Sequence, residues 1–234
     1  MTSDEPFLRA CVVGFAMLFA SGDALAQEKT RWQIGVDGVA GLPQGDFGES
    51  VGDTRWGGSF YFTRRLGSSP VRLGMDLGFH ANGSVDLVLG GAGARGRSAK
   101  DVRLTNDIYF GHFLSRVQPV YGRLAPYVEG VFGFRAFETA IVLKECSLDC
   151  TLSTLSTSTT VSLGGGGGLS LRLTGNDESE SRFSLELGAR YLFGGETEYF
   201  LPSDLSALAD DLSPVPHKST TSMITVSFGV VFDF

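Results

Sequence analysis

The sequence predicts an all-β chain that closes into an eight-stranded antiparallel transmembrane up-and-down β-barrel. Three observations predict it. Apolar residues alternate with polar or small ones at a period of two in eight successive segments of about nine to eleven residues, the length a tilted strand needs to cross a bilayer. Long and short connections alternate between those segments. The final segment places Ile224, Val226, Phe228, Val230, Phe232 and Phe234 on one face and Thr225, Ser227, Gly229 and Asp233 on the other. Hydrocarbon satisfies no free N–H or C=O, so such a strand needs a partner on each edge and the sheet is expected to close.

The 234 residues suit one domain. Ala10–Ala20 is an apolar run too short to span a bilayer as a helix. With Ala24-Leu25-Ala26 after it, residues 1–26 read as a secretory signal peptide, which leaves 27–234 as the barrel domain. Cys11 precedes the apolar run, which argues against a lipoprotein anchor. The net charge is −7, so no nucleic-acid partner is expected. No stretch of 18 or more apolar residues suggests a helical span. The 32 glycines are about twice ordinary usage and require a structural reason.

Strand by strand, the apolar faces are as follows. Trp32, Ile34, Val36, Gly38, Ala40 and Leu42 come first, then Trp56, Gly58, Phe60 and Phe62. The third strand presents Val71, Leu73, Met75, Leu77 and Phe79, and the fourth Val102, Leu104, Ile108, Phe110 and Leu114. The fifth presents Val128, Phe132, Phe134 and Ala136; the sixth Val161, Leu163, Leu169, Leu171 and Leu173. The seventh presents Phe183, Leu185, Leu187, Ala189, Tyr191 and Phe193, and the final segment completes the set. Short connections are expected at 64–70, 115–124 and 174–181, where Gly175-Asn176-Asp177 supplies turn chemistry. Long ones are expected at 43–54, 81–101, 138–158 and 194–221.

Two eight-stranded barrels differ in which face is inside. The polar face carries Asp37, Asp76, Asp107, Glu129 and Glu186 together with Arg72, Arg103, Arg135, Arg172 and Arg190. Equal numbers of acids and arginines fit a mutually paired lumen, because unpaired charges are costly in a narrow interior. The same face carries most strand glycines, and a barrel of this size has room only for the side chains that fill it. Trp32, Trp56, Tyr191, Phe193 and Phe234 sit near strand ends, where aromatic girdles belong. The membrane arrangement, polar inside and apolar outside, is therefore expected over a soluble ligand-binding barrel.

Cys146 and Cys150 lie in a polar Ser/Thr-rich stretch with no His or further Cys nearby, so an exported chain is expected to join them as a loop disulfide. Gly164–Gly168 is not followed by the Gly-Lys-Ser/Thr of a phosphate loop and is read as thinning a strand. Arg95, Arg97 and Lys100 lie in a glycine-rich loop, either solvated or against lipopolysaccharide phosphates. Ser203 is placed to cap a short helix carrying Leu205, Leu208 and Leu212.

Pro43-x-Gly45-x-Phe47, Pro126-Tyr127-Val128-Glu129-Gly130 and the closing Phe232-Asp233-Phe234 resemble the small eight-stranded outer-membrane barrels of the OmpA-like and opacity-protein type. The resemblance implies location in a bacterial outer membrane, long extracellular loops, short periplasmic turns and both termini in the periplasm. It implies contact with outer-membrane lipid and lipopolysaccharide. Phe232 and Phe234 would act as a C-terminal signal to the barrel assembly machinery. No tethering domain is expected after the barrel.

The expected function is non-enzymatic: envelope integrity or surface interaction through the loops, as a monomer without cofactors. A narrow pore and a lipid A-modifying barrel enzyme are the alternatives. A deacylase of this kind uses a His-x-Ser-Asn setting, which His80-Ala81-Asn82-Gly83-Ser84 does not reproduce. A palmitoyltransferase barrel would need an amphipathic helix before the first strand, and Gln27–Arg31 is too short for one. His112 falls in register with the apolar face of the fourth strand, and His80 is expected at a rim.

Overall fold

The computed structural model describes residues 32–52, 54–89, 100–119, 122–143, 151–175, 181–200 and 216–234. The signal segment 1–26, Cys146, Cys150, Arg95, Arg97 and the segment 203–212 lie outside the described residues.

Seven strands follow in order: β1 (Trp32–Pro43), β2 (Arg55–Arg65), β3 (Val71–Leu89), β4 (Lys100–Val117), β5 (Leu124–Leu143), β6 (Thr151–Thr174) and β7 (Arg182–Gly194). A small hairpin, β8 (Glu196–Tyr199) with β9 (His217–Thr220), precedes β10 (Met223–Asp233). A short helix α1 (Gly45–Val51) sits between β1 and β2. The sheet closes in the order β1-β10-β7-β6-β5-β4-β3-β2, eight strands with every neighbour antiparallel. At the seam, β1 meets β10, and Trp32 and Phe234 exchange both backbone hydrogen bonds at 2.8 and 2.9 Å. Closure leaves no open edge, which is what a sheet in hydrocarbon requires.

Four segments read as loops carry regular structure. β3 and β4 remain paired as far as Leu89 and Lys100, and β5 and β6 as far as Val142 and Thr151. Backbone pairing there runs past the nine to eleven residues that a tilted strand needs to cross a bilayer. In β6 the continuation Thr151–Thr160 is almost all Ser and Thr, and β-branched Thr favours extended backbone. The first long connection folds into α1, and the last contains the β8–β9 hairpin.

The outer surface of the barrel is apolar. Trp56, Val128 and Phe228 are 70%, 62% and 59% exposed, and Val36, Phe113, Phe132, Phe134, Leu163, Leu187 and Phe193 are exposed with them. A continuous belt of this kind exceeds any patch a soluble monomer tolerates and matches a lipid-facing surface. Alternate residues point into the barrel and are buried: Gln33, Asp37, Thr63, Arg72, Asp76, Glu129, Arg135, Ser170, Glu186 and Asp233.

β4 corrects the sequence reading. Ile108, Phe110 and Leu114 are buried in the lumen, whereas Tyr109, Phe113 and Val117 are exposed on the outside. Both faces of this strand are apolar, so hydrophobicity identifies it as a strand without choosing its face. Register chooses it: Asp76 stands opposite His112, and His112 opposite Gly133, which carries the lumen parity of β3 through to β5.

Phe234 stacks on Phe232 with ring centroids 5.7 Å apart, on the outer face beside the seam. Phe234→Ser is expected to remove about 1.5–3 kcal/mol of lipid-facing contact. Its amount in the outer-membrane fraction should fall, as measured by the heat-modifiable band on unboiled gels. Wild-type abundance would contradict a structural role for the aromatic end of β10.

Candidate functional site

The lumen has four levels, counted from the end that carries Trp32 and Phe234. At that terminal mouth, Arg72 donates to Asp233 at 2.7 Å, and the Gln33 amide donates to Asp233 at 3.4 Å. The Thr63 hydroxyl in turn donates to Gln33 at 3.3 Å.

The centre is built around Arg116. Its guanidinium binds Glu129 at 2.8 Å and Glu186 at 2.9 Å. It also donates to the Tyr61 hydroxyl at 3.3 Å, and that hydroxyl donates to Glu186 at 3.1 Å. Its planar group lies 4.8 Å from the Tyr61 ring centroid and 4.0 Å from that of Tyr127. A buried cation between two ring faces gains cation–π attraction that water would weaken. Arg190 extends the cluster by binding both Glu129 and Asp76. Three acids and two arginines are thereby tied into one network across the barrel.

Glycines make room for it. A Cβ at Gly35 would lie 2.2 Å from Tyr61 Cε1, and one at Gly168 would lie 2.5 Å from the Tyr127 hydroxyl. Gly168 belongs to the run Gly164–Gly168, so that run thins β6 where a tyrosine, rather than an arginine alone, needs the space.

Beyond Arg190 lies a small cavity lined by Ser59, His80, Phe110, His112 and Thr225. Phe110 stands between the two imidazoles, with centroids 5.4 Å from His80 and 5.3 Å from His112. Both histidines are buried in the lumen, so neither the rim position expected for His80 nor the lipid-facing position expected for His112 holds.

The far end is closed by apolar side chains. Phe47 and Val51 of α1, Ile108, Phe137, Tyr199 and Met223 form one buried cluster. Phe47 meets Tyr199 edge-on at 5.1 Å and Phe137 at 6.0 Å. Just beneath, Arg135 donates to the Thr221 carbonyl at 2.6 Å, and Asn106 donates to the Phe200 carbonyl. These bonds tie the β8–β9 hairpin to the barrel wall.

Of the charges assigned to the lumen from sequence, Asp37, Arg72, Asp76, Glu129, Arg135, Glu186 and Arg190 point inward, and Arg172 is half-buried at the terminal mouth. Two do not belong there. Arg103 is exposed, and Asp107 shares the outward parity of Tyr109. Asn106, Ile108, Phe110, His112, Leu114 and Arg116 take the inward positions of β4, which leaves Arg103 and Asp107 on the opposite face. Arg135 binds a carbonyl rather than an acid. Sequence reasoning misses Arg116, because 115–124 reads as a turn. Inward parity continued from His112 is the signal that finds it.

A closed barrel with an apolar belt outside and a charged, hydrogen-bonded interior is a transmembrane β-barrel of the outer-membrane kind. Among solved structures, this chain is similar to Neisserial surface protein A, with a TM-score of 0.43 and 13% identity over 87% of this chain and 95% of that one. It is similar to a major outer membrane protein from Thermus thermophilus, with a TM-score of 0.43 and 12% identity over 87% and 99%. It is also similar to Ail of Yersinia pestis, solved with the heparin analogue sucrose octasulfate, with a TM-score of 0.35 and 12% identity over 88% and 97%. No family model and no curated protein matches the chain.

Proposed function

We propose that this protein is a non-enzymatic outer-membrane barrel that serves envelope integrity or surface interaction. It acts through the long connections at the end opposite its termini. In this reading residues 1–26 are removed on export, the termini lie in the periplasm, and Cys146 and Cys150 are joined in an extracellular loop. Lipopolysaccharide borders the belt, and assembly proceeds through β10.

The observation that carries the reading is the filled lumen. Arg116 is fully buried between Tyr61 and Tyr127 and bound by Glu129 and Glu186, with the Phe47–Tyr199 cluster beyond it. This filling opposes a narrow pore, which needs a continuous aqueous path. The inward burial of His80 and His112 opposes a lipid-modifying enzyme, whose base must face the acyl chains.

Two measurements test the proposal together. The purified barrel in a planar bilayer is expected to give no steady conductance steps. A deletion strain is expected to keep its lipid A mass profile while becoming more permeable to bulky antibiotics or losing surface adhesion. Ohmic steps from the wild-type barrel would establish the pore. A lost lipid A modification would establish the enzyme.

A further inference from the structure

Arg135 lies deep in the lumen without an acidic partner. Its side chain is 0% exposed, and its Nη2 donates to the Thr221 carbonyl at 2.6 Å. Its Nε and Nη1 are buried and make no hydrogen bond, and no ion pair reaches it, among the described residues. The acids nearer the centre are engaged elsewhere: Asp76 and Glu129 with Arg190, and Glu129 and Glu186 with Arg116. Asp37 stands on β1 opposite Ser59 and Gly229 and makes no ion pair with Arg135. Phe137, the next inward residue of β5, belongs to the apolar cluster that closes the far end, so Arg135 lies below that closure. An isolated buried cation is costly, and a carbonyl dipole does not cancel its charge.

Two further side chains at this level are short of partners. Strand register places His112 of β4, Gly133 of β5 and Ser162 of β6 in one row. Arg135 is the next inward residue of β5 after Gly133 and stands between Phe110 and Thr160. No side chain separates His112 from Ser162 in that row, because the residue between them is glycine. Both are buried, and neither ring nitrogen of His112 nor the Ser162 hydroxyl has a hydrogen-bond partner among the described residues. Guanidinium N–H, imidazole N–H and hydroxyl all donate, and arginine has no acceptor of its own. A water molecule would accept from these donors but leave the charge uncompensated. A dianion would overcompensate one guanidinium, whereas a single negative charge matches it. Phe110 and His112 also border the small cavity beyond Arg190, so the row adjoins an internal space.

We propose that Arg135, with Ser162 and His112, holds a small monovalent anion of the halide class, chloride, inside the lumen. Arg135 supplies the charge and the donors on Nε and Nη1. The Ser162 hydroxyl and one His112 N–H complete the shell. The anion converts a lone buried cation into a neutral pair joined by charge-assisted hydrogen bonds. The inference rests on the folded lumen and stands whichever envelope role the barrel performs.

The test unfolds the barrel in maltoside micelles with urea, which brings no anion, while sodium chloride replaces sodium gluconate at constant ionic strength. A ligand that binds only the folded barrel raises the folded-to-unfolded ratio, and one saturated site gives about a tenfold rise per tenfold in chloride. That response is expected for the wild type, and bromide should reproduce it. Arg135→Met, which removes the charge, should abolish it. Arg123→Gln, at an exposed arginine of the terminal mouth, should leave it intact. Crystals of the wild-type barrel soaked in bromide read the site directly, even where Arg135→Met fails to fold. An anomalous peak is expected within hydrogen-bonding distance of Arg135 Nε or Nη1. A flat chloride response in the wild type, an equal response in Arg135→Met, or a water or carboxylate in place of the bromide peak would overturn the proposal.

Discussion

Arg116→Ala is expected to cost the barrel about 3–5 kcal/mol, the usual consequence of removing one partner from a buried ionic cluster. Glu186 would keep the Tyr61 hydroxyl as its hydrogen-bond donor but lose its guanidinium. Glu129 would retain Arg190. Two ring faces that now hold a cation would line an unfilled space, and a cavity adds its own cost. The measurement is equilibrium denaturant unfolding in detergent micelles, read by the loss of the fast-migrating band and by circular dichroism. The triple change Arg116→Met with Glu129→Gln and Glu186→Gln should recover much of the loss, because replacing a buried ionic cluster as a whole is often close to neutral. A loss below about 1 kcal/mol for Arg116→Ala would mean that the lumen is held by its backbone ladder and not by this cluster.

The second large effect lies on the opposite surface. Phe228 is at the middle of β10, opposite Gly38 on β1 and Leu187 on β7, and its side chain is 59% exposed. If hydrocarbon surrounds this belt, Phe228→Arg should cost about 2–4 kcal/mol, as expected for arginine near the bilayer midplane. Glu198→Arg, on the exposed β8–β9 hairpin, should cost no more than about 1 kcal/mol, the penalty for a like charge opposite Lys218. The comparison is made in phospholipid vesicles, where the midplane is hydrocarbon. A barrel whose outer face met water would tolerate Phe228→Arg as easily as Glu198→Arg, so equal stability of the two variants would reject the membrane assignment.

The same physics explains what was legible in the chain. β1, β3, β7 and β10 have one apolar and one polar or small face, and each points as its sequence indicates. In β4 the alternation is between two apolar sets, Ile108, Phe110 and Leu114 against Tyr109, Phe113 and Val117. A membrane barrel ordinarily has a polar interior, so the larger aliphatic set reads as facing lipid. The interior of this barrel contains an apolar layer: Leu114 packs with Tyr61, Val131, Leu192 and Val231. That layer was invisible because each member comes from a different strand. Arg103 and Asp107 are misplaced for the same reason, and Arg116 lies in a segment that reads as a turn.

The cap escaped for a second reason. Phe47 is one aromatic residue in a seven-residue helix, too short for helical periodicity to be read. Tyr199 lies in a four-residue strand. Neither segment has the local propensity to announce a structure. Each is held by what it meets over the barrel mouth.

By itself, then, the sequence determined the class of fold, because a period of two repeated eight times leaves two faces that a closed sheet satisfies, and the charges and glycines of the polar face suit a filled interior. It also determined the outward belt and the chemistry of most inward charges, since each is a property of a single strand. Tertiary structure alone decided which face of β4 is inside, which acid each arginine binds, and what closes the far end. Those outcomes depend on register between strands distant in sequence, where a side chain's partner is set by its neighbour's alignment and not by its own segment.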